Sequence, residues 1–192
     1  MIESQYWRDE LKVDIHWLRV KQNYKRWSEK QMVLFERKLM LVAFQVRSLL
    51  ERPKVNGRAK ALKLNGVRYA KIGSELFRLT GARDLEDHFD LSSPEAVQLP
   101  MWDVCNQLIH HYLIAAVSTG RGRFTSLIVF SDYNRRVCMY EFVISDVIEL
   151  FSAFSDDASA ALGGTWVWNE KKQDYGLTDA HLANDRLQSG PP

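Results

Sequence analysis

The sequence predicts an α+β fold: a helical core of long N-terminal helices plus a central helix over 100–115, with antiparallel β-hairpins at the edge. Three observations carry that expectation. The first fifty or so residues hold apolar positions at helical spacing, broken by a capping signal at Ser28. The stretches 124–131 and 137–144 are rich in β-branched and aromatic residues and flank a polar connection. The composition, 46% apolar and 26% charged over 192 residues, is that of one globular domain with a sizeable core.

The first helix is expected over 5–27, with Val13, Trp17, Val20, Tyr24 and Trp27 as its apolar stripe. Ser28-Glu29-Lys30-Gln31 then reads as a capping box, in which Ser28 accepts from the Gln31 amide and the Gln31 side chain returns to the Ser28 amide. A second helix follows to Pro53, centred on Met32, Phe35, Leu39, Ala43, Val46 and Leu50. Asn65-Gly66, between Leu62-Lys63-Leu64 and Val67-Arg68-Tyr69, predicts a short hairpin through a type I′ turn. Pro100 suits the first turn of the 100–115 helix. Asp132 to Arg136 joins the next two strands, Ser145 is expected to cap a helix over 146–155, and Trp166-Val167-Trp168 with Tyr175 suggests a last hairpin. One domain is expected over 1–184, with a disordered tail over 185–192.

Several function classes are excluded at this level. A net charge of +2 does not imply nucleic-acid binding by itself. No dinucleotide fingerprint, phosphate-binding loop or nucleophile elbow is present, so no cofactor is expected. The adjacent His110 and His111 point about 100° apart on a helix and make no metal pair. No secretion signal or membrane span is visible, which predicts a cytoplasmic protein with no membrane partner and with Cys105 and Cys138 free and buried.

On the 100–115 helix, Asp103, Asn106 and His110 form a polar stripe opposite Met101, Val104, Cys105, Leu108 and Tyr112. A His on such a stripe serves as acid or base near neutral pH if the stripe lines a cleft or subunit interface. Cys105-Asn106-Gln107-Leu108-Ile109-His110-His111-Tyr112 resembles the signature of the HEPN helical-bundle superfamily, matching it at Asn106, His110 and Tyr112. The same stretch also resembles that of a set of uncharacterised bacterial proteins with two long preceding helices. The HEPN resemblance implies an RNA-associated protein of a bacterial defence or toxin–antitoxin system, acting as a homodimer. An Arg of that signature is replaced by Cys105, and a neutral thiol cannot supply its fixed charge. Standard nuclease activity is therefore not expected; were the chain an enzyme, it would be a ribonuclease.

Two further sets are independent of the resemblance. Glu36 and Arg47 fall inside the apolar arc of the second helix, within about 20° of each other but roughly 16 Å apart along the axis. A charge there is costly unless paired, so each needs a partner on another element or a cleft; Arg47 beside His110 would replace the cation missing at Cys105. Lys54, Arg58, Lys60, Lys63, Arg68 and Lys71, with no acid among them, could follow an RNA backbone. The alternative class is a non-catalytic regulatory protein whose polar helix face and C-terminal aromatics meet a protein partner.

Overall fold

The computed structural model describes residues 2–24, 27–51, 55, 57–80, 84–118, 124–156, 162–171 and 173–182. Lys54, Pro53 and the 185–192 tail lie outside them. The elements run α1 (Ile2–Gln22), α2 (Glu29–Glu51), α3 (Gly57–Lys60), β1 (Lys63–Ala70), β2 (Glu95–Pro100), α4 (Met101–Ile109), β3 (His111–Ser118), β4 (Phe124–Ser131), β5 (Cys138–Val143), α5 (Ile144–Ser155), β6 (Leu162–Asn169) and β7 (Asp174–Leu182). The fold is α+β. Its centre is one five-stranded antiparallel sheet in the order β2-β1-β5-β4-β3, and β6-β7 form a separate two-stranded sheet.

Alternation along the strands splits the core. Leu64, Ile114, Ala116, Leu127, Val129, Tyr140 and Phe142 face the helices, where α4 and α5 lie on the sheet and α2 and α1 lie on them. Tyr69, Leu113, Ile128, Phe130 and Met139 face the other way and are covered by Phe77 and Phe89 from the segment after β1. The β4–β5 hairpin thus forms where expected but occupies the middle of a sheet, with β1 and β3 on its flanks.

The capping box is present as predicted: the Ser28 amide donates to Gln31 Oε1 at 3.0 Å and the Gln31 amide to Ser28 Oγ at 3.3 Å. Other expectations are corrected. Asn65-Gly66 is not a turn, because β1 runs through it and pairs with both β2 and β5. Gly66 is required there by closeness: a Cβ would stand 2.5 Å from the Phe142 ring and 2.9 Å from the Glu141 carbonyl oxygen. The helix starting at 101 stops at Ile109, and His111 to Ser118 is strand, so the 100–115 helix is half its expected length. Ser145 lies inside α5, whose cap position is Val143, without a side-chain cap bond. On α1 the buried apolar residues are Leu11, Ile15 and Leu18, whereas Val13 and Val20 are exposed, as is Tyr24 just beyond the helix end.

Candidate functional site

The candidate stretch sits at a structural crossing. β2 passes directly into α4, and α4 directly into β3, yet β2 and β3 are opposite edges of the sheet. Nine residues of α4, about 13 Å at 1.5 Å per residue, therefore lie across the helical face of the sheet. Met101, Val104, Cys105 and Leu108 are buried beneath it. Asp103 is exposed in the first turn, where a carboxylate favours the helix dipole.

The upper side of α4 meets α2, and the two charged residues in the apolar arc of α2, the partly buried Arg47 and the half-exposed Glu36, find partners on α4 and at the start of β3. The Arg47 Nη1 donates to Asn106 Oδ1, its Nε donates to Glu51 at 3.1 Å, and its guanidinium lies 4.3 Å from the Trp102 ring centroid. Three turns away, Glu36 meets Nε2 of His111 at 2.9 Å, while Nδ1 of His111 faces the Leu108 carbonyl at 2.8 Å. Gln107 adds a tie to the sheet by accepting from the Ser131 amide at 3.1 Å. Burial pushes the Cys105 thiol up to about 12, with the nearby Arg47 charge only partly opposing it. A thiol so raised stays protonated at neutral pH and is a poor nucleophile.

The structure brings Arg47 and Asn106 together and separates the rest of the sequence-predicted set. His110 is the exposed C-cap of α4, joined to Asn106 through its backbone. Tyr112 is in β3 on the other sheet face, stacked on Phe130 under the Arg135 guanidinium, 4.1 Å from the ring centroid. Glu36 belongs to His111. The basic set also disperses once β1 is a single strand. Lys60 and Lys63 are exposed, Arg68 pairs with Glu95 at 2.5 Å, and the Lys71 ammonium donates to the carbonyls of Ile72 and Gly73. The Arg58 side chain lies outside the described residues. Bonding to Glu95, then to Cys138, holds the Arg68 pKa above its ordinary value, so its charge is fixed within the protein.

His111 and Gln107 are the residues that sequence reasoning undervalued. The signal was the run Tyr112-Leu113-Ile114-Ala115-Ala116-Val117, which suits a strand and puts the helix end at the two histidines. Beside this junction, an apolar cleft of about 210 Å³ is lined by Trp27, Met32, Val33, Phe35, Ile114 and Ala116, together with Glu29 and Glu36. Among the described residues, no three His, Cys, Asp or Glu side chains group as a metal site requires. No helix among them is long and apolar enough to cross a membrane. The chain matches no family model, no curated protein and no solved structure.

Proposed function

We propose that this chain is a non-catalytic interaction protein, in which the α4 stretch serves as a clasp between α2 and the sheet. One observation carries this reading: apart from the exposed His110, the polar groups of this stretch and of the facing side of α2 are spent inside the protein. Arg47 gives donors to Asn106 and Glu51 and its flat face to Trp102. His111 is engaged at both ring nitrogens, and Cys105 is a buried, neutral thiol. A centre for phosphodiester cleavage needs a cation and an acid–base pair facing the substrate. The test is cleavage of single-stranded RNA by the wild type and by His110→Ala. The expected result is no cleavage above background in either; cleavage lost on replacing His110 overturns the reading.

A second reading has one observation in its favour. Arg47 supplies, from α2, a cation beside Asn106, and the exposed His110 lies one helical turn further along. This suits a HEPN-like protein of a bacterial defence or toxin–antitoxin system that binds RNA without cleaving it, with Lys60 and Lys63 contributing phosphate contacts. RNA affinity would then drop steeply between low and moderate salt, and a salt-insensitive affinity counts against it.

A further inference from the structure

α1 is apolar on two opposed sides. Leu11, Ile15 and Leu18 are buried toward α2 and α5. At 100° per residue, Tyr6, Val13 and Val20 fall within about 40° of one another on the far side of the helix, and Tyr24 follows two residues beyond its end. They are 68%, 64%, 40% and 41% exposed. Trp17 lies in the same stripe, partly buried, and Lys21 covers its ring and that of Tyr24, 5.6 and 4.2 Å from the centroids. The step from Tyr6 to Val13 to Val20 is a seven-residue repeat, the period at which two helices stay in contact along their length. These exposed apolar residues stand two turns apart with charged residues between them, so they form a row rather than a closed patch, and a row at this spacing suits contact with a second helix.

The flanking charges select the occupant and its direction. The N-terminal half of the stripe is bordered by the exposed Asp9 and Glu10; the C-terminal half by His16 and Lys21. Lys12 is farther round the helix, and Arg19 is turned to Glu149 on α5 at 2.9 Å. Asp14 is held by Lys38 of α2. Laid antiparallel on a copy of itself about Val13, the acidic half of each α1 meets the half of the other that holds Lys21 and the imidazole of His16. A parallel pair would set acid on acid and base on base.

We infer that the outer face of α1 pairs with the same face of a second copy, antiparallel, about a two-fold axis passing near Val13. Tyr6 then lies against Val20 of the copy, and the contact is self-complementary as a two-fold interface must be. Asn106 and His110 have no part in it. The inference deepens the interaction reading and rests on it.

The mass of the full chain in solution, measured by sedimentation equilibrium across a wide concentration range, tests this. The expected result is a species of twice the 22.3 kDa chain mass, with Val13→Glu weakening association at least tenfold. Val13 is outside the core, and circular dichroism of the variant confirms that it is folded. Asp9→Lys/Glu10→Lys and His16→Glu/Lys21→Glu should each be monomeric alone and associate when mixed. Under oxidation, Tyr6→Cys and Val20→Cys should cross-link as a mixture and not separately. A wild type monomeric at every concentration, a dimer indifferent to Val13→Glu, or Tyr6→Cys cross-linking to itself overturns the inference. Monomer without RNA cleavage removes self-association alone; cleavage that depends on His110 removes the interaction reading, whatever the mass.

Discussion

α1 and α2 are adjacent, similarly long helices that break the inside–outside rule in opposite ways. α2 carries Glu36 and Arg47 within its apolar arc, and α1 carries Tyr6, Val13 and Val20 on the face away from the core. On α2 the exception is resolved within the protomer, because Asn106 and His111 arrive from α4 and the start of β3 to meet the charges. On α1 the described structure holds no such resolution. A polar residue on an inner face thus points to a partner element of the same chain, and the apolar stripe on the outer face of α1 is what the proposed pairing with a second copy would cover.

That contrast can be tested by substitution, beginning with the largest effect. Leu39, 1% exposed on the inner face of α2, sets the scale: Leu39→Ala should cost about 3 kcal/mol in urea unfolding. Arg47→Ala should cost about 2 kcal/mol, because it strands the Asn106 side chain in a partly buried site. A loss indistinguishable from that of an ordinary surface substitution would mean that the clasp does not hold α4, and the contrast between the two helices would collapse.

The contact of α4 with the core also has a pH signature. The Cys105 thiol is raised from 9.0 to about 12 in the folded chain, so between those values the unfolded chain has released a proton that the folded chain keeps. Stability is unaffected by this group below about pH 9 and falls above it, by about 1.4 kcal/mol per pH unit at most. Cys105→Ala is less stable throughout because of its cavity, yet its curve should flatten relative to the wild type in that window. Parallel curves would place the thiol in contact with water. The smallest effect belongs to α1: Val13→Ser should change protomer stability by no more than about 0.5 kcal/mol, measured at concentrations where the chain is monomeric.

Local signals are legible in the sequence, and signals that depend on distant chain are not. The Ser28–Gln31 box is self-contained, since both partners lie within four residues, and it forms as expected. The β4–β5 hairpin and the β6–β7 pair announce themselves by strand composition on both sides of a polar turn. Asn65-Gly66 looked like a turn because its chemistry permits one; what decides the matter is the Phe142 ring, 76 positions later, which occupies the space a side chain would need. Which face of α1 is buried is not legible, because both of its sides are apolar and periodicity alone cannot say which is inside. In the candidate site, the need of Glu36 and Arg47 for partners was legible from cost, whereas the identity of those partners depended on the helix ending at His110.

The loop-free passage from β2 through α4 to β3 also bears on how the chain folds. Since one short helix joins the two outermost strands, neither edge can find its register without fixing the position of the other. Fraying, which ordinarily begins independently at each side of an open sheet, becomes a single event here. Amide hydrogens of β2 and β3 should accordingly exchange with solvent with similar free energies of opening, as members of one cooperative unit. Tension applied to one edge would be felt at the opposite one through α4.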